Sequence, residues 1–513
     1  MPRLSQGLVA GLTATLTAVL TAAGLAVGAP LPAAGADDET PPRVSSALAD
    51  ARGATSGRGE DVTMALTRLR LAYAGLAPGE QAAADGLLAR PTDGPADPQE
   101  FGYTVAEAVP VCGASFCVHY VPTTEDAPAP VDVDADGMPE WVETTLAELE
   151  AVMAFHTTTL GYRPPPGDGA LGGNVQFDVY LSQLGDGGLY GFCAPENKVP
   201  GQRFVYSGYC VLDNDFGEFS QGPLPSLRVT AAHEFFHAVQ FGYDATEDGW
   251  LLEATATWVE ERYADTIDDN RQYLRYGQLG RPRRPLDEFD SSGSSQYGNW
   301  LFFELVSQEF GVDAIRRIWE QAEATRGAPD RYSTEAVKQV VQSRGGPRFA
   351  DFYARFATAN QLPAGFYSEG TAYRPSPVVR TARLTPSRRT LTDTRRLDHL
   401  TSTAYRLVPS RALRGTWRLR GDVHGPSVAA CSAATLLVHE RAGGVTVRDI
   451  VLSDNGAGRR TIAFSRDRIR SVTIVVANGS TRFSPCWEGT SYSCQGIPRD
   501  DRDVYDVTAA VSR

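Results

Sequence analysis

The chain has 513 residues, 62 acidic side chains against 48 lysines and arginines, and a formal charge of −14. That balance excludes a protein held to nucleic acid by its overall charge, and no phosphate-cradling or nucleic-acid motif stands in the sequence. The length suffices for two or three cores, and the seven cysteines point to an oxidising compartment.

Residues 1–36 read as a signal peptide: Arg3 gives a basic start, Leu8 to Val27 an apolar run, and Ala34-Gly-Ala36 a small-residue cleavage site before Asp37. No later segment is apolar for long enough to span a bilayer, so the processed protein is expected to be secreted. Residues 37–110 form an N-terminal helical segment or a propeptide, with helical patterns over Asp61 to Tyr73 and Pro78 to Leu88 and a linker marked by Pro91, Pro95 and Pro98. Cys112 and Cys117 close a small loop leading into a strand at Val118 to Val121, where His119 reads as a hydrogen-bonded structural residue.

Asp132-Val-Asp-Ala-Asp-Gly-Met-Pro-Glu-Trp-Val-Glu143 satisfies the D-x-D-x-D-G-x5-E pattern of a calcium loop. Asp132, Asp134 and Asp136 supply side-chain oxygens, Met138 a carbonyl and Glu143 a bidentate carboxylate, while Gly137 permits the sharp turn. Pro139 stands where a paired loop has an aliphatic strand residue, so a single structural Ca²⁺ clamp is expected, followed by a helix from Trp141 to Leu160. Strands are expected at Val175 to Leu181, Arg203 to Tyr206 and Cys210 to Leu212, with Cys193 paired to Cys210.

Val229 to Phe241 carries His233, Glu234 and His237 as H-E-x-x-H. On a helix the two imidazoles lie one turn apart on one face, and Glu234 reaches a metal-bound water rather than the metal. With only seven histidines in the chain, the pattern is specific. A helix over Trp250 to Arg262 places Glu253 in its first turn, following His237 by a stretch long enough for one turn-back; Asp244 and Glu260 are the other acids within reach. Two histidines and one glutamate with an open fourth position make a catalytic rather than a structural Zn²⁺ site.

Beyond it, helices are expected over Gln296 to Gly311, Ala314 to Ala324 and Ser333 to Gln342. Residues 375–513 change to short alternating runs between Gly, Asn and Ser turns, which suggests an antiparallel β-sandwich. From Arg380 onward there are 22 Arg against 12 Asp plus Glu, about +10, which leaves about −24 for the rest. Such a region suits an anionic cell-wall polymer, or is simply a solvated sheet face. Of Cys431, Cys486 and Cys494, two can pair and one is left over.

The segments H-E-x-F-H-A-x-Q and W-x-x-E-x-x-A-x-W-x-E resemble those of secreted bacterial gluzincin metallopeptidases, over roughly Cys112 to Phe352. The resemblance implies an α+β fold, with a zincin-like domain at 111–374 before the sandwich at 375–513, and a zinc peptidase acting on a protein or peptide. It implies that His233, His237 and Glu253 hold zinc, that Glu234 is the base, that Tyr297 stabilises the oxyanion, and that an edge strand near Tyr206 to Asp215 receives extended peptide. Gln240 and Tyr243 depart from the metzincin pattern, and Thr257 stands where thermolysin has an acid supporting a zinc histidine. The rivals are a cell-surface binding protein with a relic zincin fold and a metal-dependent hydrolase of a non-peptide bond.

Overall fold

In the computed structural model, residues 44–56, 61–92, 102–343, 345–426 and 431–513 are described. The expected signal peptide and the prolines Pro95 and Pro98 lie outside them.

Among the described residues, three helices come first: α1 (Val44–Thr55), α2 (Val62–Ala72) and α3 (Pro78–Leu87). A five-stranded sheet follows, built from β1 (Val111–Cys112), β2 (Phe116–His119), β3 (Phe177–Ser182), β4 (Gly191–Lys198) and β5 (Tyr206–Asp213). Its order is β1-β2-β3-β5-β4, with β2, β3 and β5 parallel and β1 and β4 antiparallel at the edges. Every residue of β5 is buried, because helices cover both faces there. On one face α1 to α3 pack with Tyr180, Phe192, Tyr209 and Val211. Against the other lie α4 (Glu140–Ala154) and α5 (Pro223–Phe241), in one core with Phe116, Val179 and Leu212.

This order corrects the expected edge: β5 is internal, and β4 is the free edge on that side. The disulfide Cys193–Cys210 ties β4 to β5 in register, Cys112–Cys117 ties β1 to β2, and Cys486–Cys494 lies near the C-terminus. Cys431 is the buried free thiol. His119 sits between Glu107 and Asp178, a structural histidine.

Helices α6 (Gly249–Tyr263), α7 (Ser295–Gly298), α8 (Trp300–Phe310), α9 (Asp313–Ala322), α10 (Ser333–Ser343) and α11 (Phe349–Ala359) fill out the helical part. Its core contains four fully buried tryptophans, Trp250, Trp258, Trp300 and Trp319. The helix expected over Gln296 to Gly311 is broken at Asn299, and α11 went unread in the sequence. The helix expected to reach Leu160 instead leaves α geometry at Phe155 and finishes as a π turn.

Among the described residues, nine strands make the C-terminal sandwich: β6 (Arg380–Leu384), β7 (Thr390–Leu397), β8 (Thr401–Pro409), β9 (Arg418–His424), β10 (Ser432–Glu440), β11 (Val445–Asp449), β12 (Ala457–Ala463), β13 (Ile469–Asn478) and β14 (Asp503–Ser512). The sheets run β11-β10-β13-β8-β6 and β12-β9-β14-β7, with Tyr405, Leu436 and Ile474 meeting Leu419, Tyr505 and Val507 between them. β6 pairs parallel with β8, so the sandwich is not purely antiparallel. Helix α11 lies on the outer face of β10 and β13, with the Thr358 and Thr435 hydroxyls 2.5 Å apart and Ala357 against Ala404 and Val475. The chain is thus α+β, and among the described residues no helix is long and apolar enough to cross a membrane.

Candidate metal centre and cleft

Helix α5 opens with Pro223 at its first position, where a missing N–H costs nothing, and is buried almost throughout from Ser226. Such a helix presents His233 and His237 inward, their ring centroids 4.8 Å apart. Helix α6 crosses it, also largely buried, with Glu253 and Glu260 two turns apart on one face. Glu253 falls in the second turn of α6 rather than the first.

Each histidine is oriented from behind. Gln240 donates its Nε2 hydrogens to the Leu252 carbonyl and to Thr255 Oγ1, both 3.0 Å away, which turns its Oε1 toward His237 Nδ1 at 2.7 Å. His237 therefore carries its proton on Nδ1 and shows a lone pair at Nε2. Glu260 Oε1 accepts from His233 Nδ1 at 2.6 Å and sets the same tautomer there. The second partner of His233 is thus Glu260, and the Thr257 hydroxyl is turned to the Glu253 carbonyl. Of the alternative ligands, Glu260 takes this supporting position, and Asp244 accepts from Thr246.

In front, the two Nε2 atoms lie 3.0 Å apart, with Glu253 Oε2 3.2 Å from His233 Nε2 and Glu253 Oε1 3.4 Å from His237 Nε2. Ligand atoms around a tetrahedral zinc with bonds of about 2.0 to 2.1 Å lie about 3.3 Å apart, so this donor set has the spacing of such a site. Glu253 Oε1 is buried and accepts no hydrogen bond from an N–H or O–H donor among the described residues. Buried electron pairs that converge in this way repel one another unless a cation lies between them. Burial works against a charge on His233, and the neighbouring Glu253 and Glu260 more than reverse it, so the imidazole is pushed well above its usual range. Burial, together with His233, pushes His237 down to about 3. The donor set therefore fits a divalent cation that displaces a proton on binding.

Glu234 lies beside this group, with Thr63 Oγ1 donating to its Oε2 at 3.2 Å. Burial pushes its carboxyl up to about 7, opposed by His233 and aided by Asp61. Tyr297, on α7, has its ring centroid 6.0 Å from that of His233, and its hydroxyl donates to Asp61 Oδ2 at 2.6 Å. All five residues expected at this site therefore line one cleft of about 290 Å³, together with Asp61, Thr63, Tyr190 and Tyr273. Asp61 and Thr63 carry no sequence signal, because Thr63 lies 171 residues from Glu234. Gln240 and Glu260 were findable, three residues after His237 and seven after Glu253.

Of the four acids expected at the acidic loop, three come together. Carboxylate oxygens of Asp132, Asp134 and Asp136 lie within 4.8 Å of one another on the exposed surface. Asp132 accepts from Gly137 N–H at 2.9 Å and Asp136 from Met138 N–H at 2.9 Å. Gly137 takes φ +96°, a conformation that a side chain would strain, and Glu140 N–H closes the loop on the Val131 carbonyl at 2.8 Å. The Glu143 carboxyl is pushed up by desolvation and then by Asp136 and Asp134, which places it in the field of the loop.

No family model matches the chain, and no curated protein matches it. Among solved structures, 26% of the chain is similar to 97% of the pre-peptidase C-terminal domain of a collagenase from Bacillus anthracis, at 8% identity and a TM-score of 0.16. Another similarity covers 58% of this chain and 45% of a family GH115 4-O-methyl-α-glucuronidase with specificity for decorated arabinogalactans, at 8% identity and a TM-score of 0.12. At such scores neither likeness bears on fold or function.

Proposed function

We propose that this chain is a secreted zinc-dependent peptidase of the gluzincin type. The observation that carries the reading is the convergence of His233 Nε2, His237 Nε2 and the Glu253 carboxylate at 3.0 to 3.4 Å, with Glu234 alongside. A mixed sheet whose antiparallel edge strand β4 borders the cleft supports a zincin-like domain, since an extended peptide can add to that edge. Three disulfides and the lack of a long apolar helix among the described residues are compatible with an extracellular protein.

His233, His237 and Glu253 would hold Zn²⁺, which as a Lewis acid lowers the pKa of water and polarises a carbonyl. Glu234 takes the proton from the attacking water and returns it to the leaving amine. Its burial raises its basicity toward neutrality, which suits a group that must both accept and release that proton. Tyr297 would donate its hydroxyl to the oxyanion once Asp61 no longer accepts from it. The acidic loop would take Ca²⁺ as a structural clamp ahead of α4.

Replacing the base tests the assignment. The substitution Glu234→Gln should leave one zinc per chain by metal analysis and lower casein hydrolysis by about 10² to 10⁴-fold. Undiminished, chelator-sensitive hydrolysis in that variant would refute it.

A further inference from the structure

Two residues from one distant segment engage the groups that a peptide substrate needs. Thr63 Oγ1 donates to Glu234 Oε2, the proposed base, at 3.2 Å, and accepts from the Cys193 N–H on the edge strand β4 at 3.0 Å. Asp61 Oδ2 accepts from the Tyr297 hydroxyl, the proposed oxyanion donor, at 2.6 Å, and the Asp61 carboxyl lies against that of Glu253. Base, oxyanion donor and strand edge are therefore all taken at once. Resting on the peptidase reading, we infer that the N-terminus of α2 is a built-in occupant of the cleft that holds the enzyme latent, with Asp61 against Tyr297 and Glu253.

The occupant is held in place from both ends of its segment. Asp61 Oδ1 caps α2 through the Met64 N–H at 2.9 Å, which aims Oδ2 at the cleft. Beyond α3, the buried Arg90 pairs with Glu196 at 2.6 and 2.7 Å, with Asp168 at 2.5 Å and with Asp178. The apolar sides of α1 to α3 add burial against Tyr180, Phe192 and Tyr209. A residue that merely propped the site would hold Tyr297 by its ring and leave the hydroxyl free for the reaction. Asp61 does the reverse, and Thr63 covers both the carboxylate and the strand N–H that a substrate must meet.

The test compares the zinc-loaded full chain with Asp61→Asn, which keeps the helix cap, and with Asp61→Asn/Thr63→Val, which also removes the hydroxyl at constant shape. A peptide hydroxamate serves as the probe, because its binding does not depend on turnover. Latency predicts that the double variant binds it about tenfold tighter or more, as when a binding-competent state goes from a minor to the main population. Casein hydrolysis should rise in parallel. Equal or weaker hydroxamate binding by both variants would overturn the inference and make Asp61 and Thr63 positioning residues. Adding Glu234→Gln to the double variant separates the two ideas: tight hydroxamate binding with hydrolysis abolished supports both. Persistent hydrolysis sinks the role of Glu234 while the binding comparison still decides latency.

Discussion

Glu260 accepts from His233 Nδ1 and Gln240 accepts from His237 Nδ1, so the face that the imidazoles show to a cation is settled by residues that never touch it. Partners of this kind fix tautomer and basicity, and losing one commonly lowers metal affinity by about 10 to 100-fold. Glu260→Gln should fall in that range, because an amide can turn its NH₂ toward Nδ1 and favour the wrong tautomer. Competition with a colorimetric chelator reads the constant; unchanged affinity would leave Glu260 as a neighbour only. At this scale the sequence was legible where helical spacing alone decides: His233, Glu234 and His237 follow from one turn of helix. Glu260 was in view only as an alternative ligand, since the crossing of α5 and α6 decides which imidazole nitrogen it reaches. Asp61 and Thr63 depend on long-range packing, which no local pattern encodes.

At the scale of elements, the acidic loop and α4 form one unit: Glu140 N–H closes the loop at the first residue of the helix, and Pro139 supplies no side-chain cap. A cation at Asp132, Asp134 and Asp136 would relieve their mutual repulsion and anchor that helix start. Calcium at ten times its Kd should therefore stabilise the protein by about 1.4 kcal/mol, seen as a rise in Tm that EGTA reverses. Asp132→Asn should abolish the rise, and a calcium response that survives this change would place the ion elsewhere. Strand β5 was legible only in part, because Arg203 to Tyr206 and Cys210 to Leu212 read as two runs, whereas one strand spans Tyr206–Asp213. The edge strand β4 was not, because Gly191-Phe-Cys-Ala-Pro-Glu-Asn-Lys198 carries the glycine and proline that usually mark a break. An edge tolerates both, and β4 is an edge. Helix α11 went unread, and its apolar residues serve two neighbours, the helical core and the sandwich.

For the whole molecule, the joint between the helical part and the sandwich is electrostatic as well as apolar. His399 is buried with Nε2 3.0 Å from Asp287 Oδ1 and Nδ1 2.6 Å from Asp501 Oδ1, and Ser493 donates to Asp287 Oδ2 at 2.6 Å. Burial opposes the charge on His399, and Asp287 and then Asp501 outweigh it, pushing the imidazole up to about 10. Its unfolded value lies near 6.5, so the stabilisation is complete below about pH 6.5, shrinks above it and is lost as pH rises through about 10. Breaking such a buried pair costs about 3 to 5 kcal/mol, so His399→Gln should lower Tm strongly at pH 6. The gap between variant and wild type should narrow toward pH 10; a gap constant with pH would show that His399 contributes packing alone. The arginines of the sandwich are partly neutralised at home, with Asp422 meeting Arg420 and Arg459, Asp393 meeting Arg395 and Asp500 meeting Arg482. Those pairs soften the field that an anionic polymer would feel and weigh toward the solvated-face reading.

Helix α11 lies across β10 and β13, and that placement denies the C-terminal layer an independent life. Peel the helix away and Ala404 and Val475 meet water; strip off the strands and Ala357 does. Damage on either side is thus felt on the other, and the helical half and its sandwich are expected to melt as partners in a single cooperative event.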